Sequence, residues 1–547
     1  MKIHDWVKKS VGYEIYPRSF YDSNQDGMGD IQGIISKLDY LEYLGVNLLW
    51  IGPFYPSPLD DNGYDVSEFC DVDPSLGTLE DIKELIQLAH QKSIRIIFDY
   101  VMNQTSDEHP WFIESKSSTN NPKREYYLWA KGKGKNPPNN WGSFFGGSAW
   151  NYSQETDEYY MKIFSNKMPD LNWSSKNVQN EMAAVAKFWL DLGVDGFRMD
   201  AIAHLGRDMS FKDSTLKEEN GIAYDWSKFS NREVLYTYLN NLHNQVFSKY
   251  SCVTIGEVGG GAKLDSALRY VNQEKPAIDM VFNFDSVWCL NDDGSTNVVE
   301  LKKTINYWIT GSRKAGIYLP QYWTNHDHPR AMSQYGNLEY FKESGKLLAL
   351  VLLGLYGLPF IYNGEEIGMT NVDYTQLSDF KDVSSQNYFK MNQNKQSEQE
   401  MMEHIRKSGR DHGHLPMQWS DEKYAGFSNK SPYLKVNGNY KEINVQQQLN
   451  DSDSILNFYK QMIELRLKSQ YSKTLIDGDF KLVLARHKQI FGYIREDDTF
   501  IITVLANMSN SKANYRLTDK EILLQNYEAH QKGVLQPYEA LLMVEVK

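Results

Sequence analysis

Cysteine is nearly missing from this 547-residue chain: Cys70, Cys252 and Cys289 are the only three, widely spaced and without metal-ligand spacing. That argues against a disulfide-built scaffold or a zinc-type cluster and fits a reducing compartment. Long apolar runs are missing too. No stretch of about 18 apolar residues occurs, and residues 1–12 have no apolar centre of signal-peptide type. Positive charge is in deficit, and a formal net charge of −13 argues against nucleic acid or an anionic membrane as partner. No periodic repeat or low-complexity run is evident. A cytoplasmic enzyme without nucleic-acid or membrane partners is therefore the default expectation.

What is present organises itself around Gly193-Val-Asp-Gly-Phe-Arg-Met-Asp-Ala-Ile-Ala-His204. Val194 to Phe197 is short, apolar and flanked by glycines, as a buried parallel strand is. It delivers Arg198 and Asp200 two residues apart, so alternation along a strand points both to one side. A guanidinium beside a carboxylate favours its ionised form. An ionised Asp at the end of a buried strand suits a covalent nucleophile, and a structural ion pair reads equally well from this motif alone.

Strands alternate with helical stretches along the chain. Val11 to Tyr16, Val46 to Ile51, Ile94 to Phe98, Val194 to Phe197, Val253 to Ile255, Met280 to Phe284, Tyr322 to Thr324 and Pro359 to Tyr362 read as eight strands. Between them, Ile31 to Tyr43 has helical periodicity, and Thr78-Leu-Glu-Asp81 has the form of a capping box. Eight such units predict an α/β fold of the (β/α)₈ TIM-barrel type, whose active site lies at the strand carboxyl ends. Polar residues recur there: Asp99, Glu257, Asn325-His-Asp327 and Asn363-Gly-Glu365. Two segments break the rhythm. Residues 104–173, without clear helices, read as a small inserted domain after strand three, and residues 369–448 read as a polar loop insertion. The barrel is expected over 1–103 and 174–473, with an antiparallel β-sandwich domain over 474–547. Near the start, Asp22-Ser-Asn-Gln-Asp-Gly-Met-Gly-Asp30 alternates oxygen-bearing residues: Asp22, Asn24, Asp26, the Met28 carbonyl and Asp30. It resembles the start of a calcium loop, with a solvated turn as the alternative.

These motifs resemble, essentially end to end, the α-amylase family of glycoside hydrolases in its oligo-1,6-glucosidase and α-glucosidase branch. Asp99-Tyr-Val-Met-Asn103, Gly196-Phe-Arg-Met-Asp200, Gly256-Glu257 and Asn325-His-Asp327 look like its four main signatures, and Asp60-Asp-Asn-Gly-Tyr-Asp65 and Pro169-Asp-Leu-Asn172 like branch markers. The resemblance implies Asp200 as nucleophile, Glu257 as general acid/base and Asp327 as the orienting third carboxylate. Arg198 would hold the nucleophile. Asp61, Tyr64, Asp99 and His326 would bind the terminal glucose, with Arg410 assisting Asp61, and a structural Ca²⁺ or Mg²⁺ would sit in the Asp22 loop without any organic cofactor. Retention needs one ionised carboxylate and one protonated carboxyl. Arg198 favours the ionised form at Asp200, and burial after an apolar strand is expected to keep a proton on Glu257.

Departures from the family pattern sharpen the expectation. Gln104 replaces the usual histidine that donates to the sugar, so a weakened glucose pocket follows. Ala201 stands where isomaltose-cleaving relatives carry Val, which goes with α-1,4 preference. His204 either hydrogen-bonds the leaving sugar or is a surface-loop histidine. Gly259-Gly-Gly261 gives room for acceptors, and His414 replaces a second arginine. The expectation is an exo-acting, retaining α-glucosidase on maltose and short oligosaccharides, capable of transglucosylation, as a monomer or weak homo-oligomer. Isomaltose, sucrose and trehalose-6-phosphate are alternative substrates. A non-catalytic amylase-like module would instead lack the carboxylates.

Overall fold

The computed structural model describes residues 3–547 apart from Gln273, Pro276, Asp292 and Asp519. Three parallel strands open the chain: β1 (Gly12–Ile15), β2 (Leu48–Ile51) and β3 (Arg95–Val101). An excursion then forms its own antiparallel sheet from β4 (Trp129–Ala130), β5 (Trp150–Ser153) and β6 (Glu158–Met161). The parallel sheet resumes with β7 (Gly196–Asp200), β8 (Val253–Glu257), β9 (Met280–Phe282), β10 (Pro320–Gln321) and β11 (Leu358–Tyr362). The order β10-β11-β1-β2-β3-β7-β8-β9 is that of a (β/α)₈ barrel hydrogen-bonded at every seam except β9 to β10. The barrel strands are buried almost throughout, which is why they are nearly continuous apolar runs rather than alternating ones.

Local chemistry explains most boundaries. Thr78 and Asp81 form the capping box of the helix Leu79–Gln91. The helix after β1 is interrupted at Lys37, giving Ile31–Ser36 and Leu38–Leu44, and ends on Gly45 at φ 94°. Gly196 opens β7 because a side chain there would run into the Val253 carbonyl, 2.0 Å from where a Cβ would stand. β10 lies two residues before the expected Tyr322 to Thr324. It pairs with β11 only through Pro320↔Leu358 and Gln321↔Pro359, and Pro359 has no N–H with which to extend the ladder. The excursion after β3 does contain a helix, Pro110–Ser117, capped by His109 with proline at its first position, contrary to the expectation of none.

At the carboxyl end, β12 (Asp479–Val483), β13 (Ile490–Glu496), β14 (Phe500–Asn507), β15 (Ala513–Asn514), β16 (Glu521–Gln525), β17 (Val534–Leu535) and β18 (Ala540–Val546) are antiparallel. Five of them form the sheet β12-β13-β14-β18-β16. The β15–β17 pair covers it over a small core that includes Ile490, Leu505, Leu535 and Leu541. Buried Lys302, from a barrel helix, donates to the carbonyls of Leu484, His487 and Ile490. Buried Arg495 of β13 donates back to the Gly354 carbonyl at 3.1 Å. These cross-contacts fix the sheet to the barrel. Among the described residues, no helix is long and apolar enough to cross a membrane.

Candidate active site

Strand β7 is the centre of the site. Residues 198 and 200 share a face, and both side chains are held by the barrel rather than by a loop. Arg198 is buried, with its side chain 1% exposed, and its guanidinium reaches three carboxyls. Nη1 lies 2.7 Å from Asp200 Oδ1 and 2.9 Å from Asp99 Oδ1, and Nη2 lies 2.5 Å from Glu257 Oε2. Register explains the convergence: Asp99 pairs with Arg198 across β3–β7, and Arg198 pairs with Ile255 across β7–β8, two residues before Glu257. Asp200 Oδ1 and Glu257 Oε2 thus sit on the two terminal nitrogens of one guanidinium. The Ala201 N–H donates to Glu257 Oε2 at 3.2 Å, completing the bridge.

Two influences oppose each other at Asp200. Burial pushes the Asp200 carboxyl well above the usual range. Arg198 opposes this, while Glu257 and Asp99 add to the upward push. The guanidinium alone therefore does not secure an ionised Asp200.

The opposite wall is built from Asp327 and the groups around it. His326 donates through Nδ1 to Glu14 Oε1 at 2.6 Å and through Nε2 to the Tyr64 hydroxyl at 2.7 Å, with Asp327 Oδ2 3.3 Å from Nε2. Burial disfavours a charged imidazole, but Asp327 and Glu14 outweigh it and raise the His326 pKa well above its ordinary value. Burial would likewise raise Asp327. The His326 and Arg410 charges win, holding it well below the carboxylate range. The Tyr64 hydroxyl in turn donates to Asp99 Oδ2 at 2.9 Å. Arg410 pairs with Asp61, with Asp327 Oδ1 at 3.1 Å and with Asp382 Oδ2 at 2.9 Å. Burial raises Asp61 to about 7 despite Arg410.

A cavity of about 650 Å³ joins these groups. Of the residues singled out in the sequence, Asp61, Tyr64, Gln104, Asp200, Ala201, His204, Glu257, Asp327 and Arg410 line it. Asp99, Arg198 and His326 stand immediately behind as buried supports. Gln104 is buried. Its Oε1 accepts from Asn103 Nδ2 at 2.9 Å and its Nε2 donates to the Tyr64 carbonyl at 3.2 Å, so one amide N–H is left for a ligand. His204 is not a surface histidine: it is 5% exposed, bonded to Ser230 Oγ at 2.9 Å, and 4.8 Å from the Phe144 ring. Burial and the nearby Arg207 push its pKa down to about 3, so the imidazole is neutral. Ala201 adopts φ 48°, ψ 30°, a left-handed conformation in which a β-branched side chain is strained. Sequence reasoning missed Glu14 and Asp382, which orient His326 and Arg410, and the aromatic wall of Phe144, Phe145, Phe164 and Phe284. Glu14 lies within a strand and Asp382 within the 369–448 insertion, where no motif marks either.

The Asp22 loop is separate from this cavity. Asp22 accepts the backbone N–H groups of Gln25, Asp26 and Gly27, and Asp30 accepts those of Ser23, Asn24 and Gly33. Asn24 and Asp26 are exposed. Among the described residues, no group of three or more His, Cys, Asp or Glu side chains converges as a metal cluster. The donors are nonetheless all oxygens, as a hard cation requires, and a carboxylate has about four lone-pair sites, more than these amides occupy.

A parallel barrel that gathers paired carboxyls around one arginine at its strand ends, within an aromatic-walled pocket, defines a glycoside hydrolase. Residues 14–476 match the alpha-amylase catalytic domain. The chain is 40% identical to an oligo-1,6-glucosidase of Bacillus cereus, over 98% of this chain and 99% of that protein. It is 38% identical to an alpha-glucosidase of Candida albicans over the full length of both. Its fold superposes on the trehalose-6-phosphate hydrolase of Bacillus licheniformis with a TM-score of 0.92, at 35% identity and 100% coverage of both chains. The protein belongs to the alpha-amylase family of glycoside hydrolases.

Proposed function

We propose that the protein is a retaining, exo-acting α-glucosidase that releases glucose from the non-reducing end of maltose and short oligosaccharides. The observation that carries this reading is the single guanidinium shared by Asp200 and Glu257. Inverting enzymes leave about 6.5–9.5 Å between their carboxyls for a water, whereas retaining enzymes hold them about 5–5.5 Å apart. Two carboxyls held on the two terminal nitrogens of one guanidinium favour the second, closer arrangement. The terminal glucose would occupy the deep end of the cavity, against Asp61, Tyr64, Asp99, Gln104, His326 and Arg410. Asp200 attacks the anomeric carbon while Glu257 gives a proton to the departing oxygen. Glu257 then takes a proton from the water that hydrolyses the glucosyl-Asp200 ester. Asp327, held anionic by His326 and Arg410, orients the ring and its developing charge.

Ala201 supports α-1,4 preference, because its small side chain leaves space beside the nucleophile for a maltose-type leaving sugar. His204 supplies a neutral ring at the same wall, and the side-chain-free Gly259-Gly-Gly261 edge supports transfer to sugar acceptors. A second reading, α-1,6 cleavage, draws support from the 40% identical relative named oligo-1,6-glucosidase. A phosphorylated substrate fits poorly. Arg410 is the only Lys or Arg lining the described cavity, against Asp61, Asp200, Glu257, Asp285 and Asp327. The test is hydrolysis of p-nitrophenyl α-glucoside by the purified protein beside an Asp200→Asn control. NMR of the first-formed anomer and kcat/KM on maltose and isomaltose complete it. No hydrolysis, or a β-anomer first, overturns the proposal.

Three unpaired cysteines support a cytoplasmic location, and the chain is taken to act as a monomer or weak homo-oligomer. The Asp22 loop is proposed to hold a calcium-type ion with a structural role, through Asp22, Asn24, Asp26, the Met28 carbonyl and Asp30. Such an ion cross-links the start of the barrel and takes no part in the chemistry.

A further inference from the structure

A cleft of about 310 Å³ opens between residues 172–174, the loop after β7 and the start of the helix Glu233–Gln245. It shares no lining residue with the catalytic pocket. Its volume lies at the lower end of the range for small-ligand sites. No step of the proposed hydrolysis uses it.

Three observations describe its occupant. The first is Arg207, which lines the cleft and is 6% exposed. Its Nη2 donates to Asp170 Oδ2 at 2.9 Å and to Asn103 Oδ1 at 2.8 Å, while its buried Nε has no hydrogen-bond partner among the described residues. Buried donors of this kind are normally satisfied. The second is the helix N-terminus. Gly206 packs so closely on it that a Cβ there would stand 3.1 Å from both Arg232 Cβ and Val234 Cγ1, which brings the neighbouring Arg207 up to the first turn. The N-cap residue Arg232 offers the helix no side-chain acceptor, and the Glu233 and Val234 N–H groups have no acceptor among the described residues. Free first-turn amides and the helix dipole together favour an anion. The third is charge. Arg232 lines the cleft, donates through Nη1 to the Ser227 carbonyl at 2.9 Å and pairs with no carboxylate among the described residues. Glu233 is the one acid in the lining, and Arg269 engages both of its oxygens. In a chain of net charge −13, this is a local excess of positive charge.

We propose that the cleft binds a small anion of the phosphate type, either free phosphate or the phosphate of a phosphorylated sugar, and that its occupancy is transmitted to the glucose wall. The Arg232 guanidinium and the first-turn amides act as donors, with Arg207 behind them, and a planar guanidinium suits phosphate oxygens. Transmission follows from contact. Arg207 holds Asn103, Asn103 Nδ2 donates to Gln104 Oε1 at 2.9 Å, and Gln104 lines the catalytic pocket. An anion drawing on Arg207 therefore changes how Gln104 is presented to a sugar. The site goes beyond the proposed glucoside hydrolysis, and its occupancy is measurable without it.

The test is calorimetric titration of the full chain with inorganic phosphate and with glucose 6-phosphate at constant ionic strength, with chloride and glucose as controls. Saturable binding of at least one phosphate is expected, and of neither control. Arg232→Ala weakens it about tenfold or more, as loss of a charge-assisted hydrogen bond does. Val234→Glu, at an exposed position, sets a carboxylate at the helix start, abolishes binding and carries the test if Arg232→Ala does not fold. Glucose 6-phosphate binding tighter than phosphate assigns the site to a phosphorylated sugar, and equal affinity assigns it to free phosphate. No binding, equal binding of chloride, or binding that both variants keep overturns the proposal. In wild type the bound anion shifts KM for p-nitrophenyl α-glucoside, and both variants lose that shift; an unchanged KM at saturating anion overturns the link to Gln104. If wild type cleaves no glucoside, the proposed function falls while the titration still decides the cleft.

Discussion

Arg198→Lys is the perturbation that the site's geometry makes most informative. The arginine is buried and touches three carboxyls at 2.5–2.9 Å, two of them from one nitrogen. Lysine keeps the charge but presents a single compact ammonium in place of a planar fork. It cannot span Asp200, Glu257 and Asp99 together, so at least two charge-assisted contacts are lost. At about 1.5–3 kcal/mol each, the loss is about 3–6 kcal/mol. If most of that falls on the transition state, kcat/KM drops about 10²- to 10⁴-fold. The pH profile carries a second signature. Arg198 pulls the Asp200 pKa down against burial, so weakening that contact raises the pKa further. A nucleophile must be ionised, and the rate falls as pH drops through its pKa, so the acid limb moves to higher pH. One lost contact at Asp200 corresponds to about 1–2 pH units, at 1.36 kcal/mol per unit. The assay is kcat/KM for p-nitrophenyl α-glucoside across the acid and neutral range, with circular dichroism to establish folding. A folded variant within about threefold of wild type, with its acid limb unmoved, would refute this account of the bridge.

Other outcomes follow from single side chains. Gln104→His restores a ring donor to the glucose wall, and a lower KM with an equal or higher kcat is expected; no fall in KM and no rise in rate refutes the explanation of a weakened pocket. Burial pushes Glu365 up to about 8, against about 4.3 for glutamate in an unfolded chain, and its Oε2 has no hydrogen-bond partner. The folded protein thus keeps a proton that the unfolded chain loses, and stability falls as pH rises from about 4 to 8. Glu365→Gln removes that loss, so its advantage over wild type in denaturant unfolding grows by a few kcal/mol between acid and alkaline buffer; a pH-independent difference contradicts the assignment. Chelator is expected to lower the unfolding temperature by several degrees, with calcium restoring it in wild type but not in Asp22→Ala. Indifference to both would leave the Asp22 loop a solvated turn.

The barrel was legible because parallel strands buried on both faces leave an uninterrupted apolar signature, and because strand ends such as Asp99 and Asp200 carry the polar exceptions. Exact ends were less legible. β10 stops where Pro359 ends its ladder, and the helix after β1 breaks at Lys37, whose ammonium lies 3.7 Å above the Tyr21 ring. Residues that touch the reacting carboxyls sat in motifs, and β7 alone supplied two of them. The residues that position these groups did not. Glu14 is one acid in a strand, Asp382 lies 28 residues from the Arg410 it holds, and Phe144 belongs to a segment with its own small sheet. Their roles arise from long-range contact, which no local pattern encodes. The balance at Asp200 is half legible for a related reason: the adjacent arginine is visible in sequence, whereas the depth of burial opposing it is not.

The most direct test of the central claim, that Asp200 bonds covalently to the anomeric carbon while Glu257 manages the proton, is trapping with a fluorinated α-glucosyl fluoride, followed by peptide mass spectrometry. The account predicts one fluoroglucosyl unit on the peptide containing Asp200, absent from Asp200→Asn and slow to hydrolyse in Glu257→Gln. A label on any other carboxylate, or full turnover of the reagent in Asp200→Asn, would contradict it.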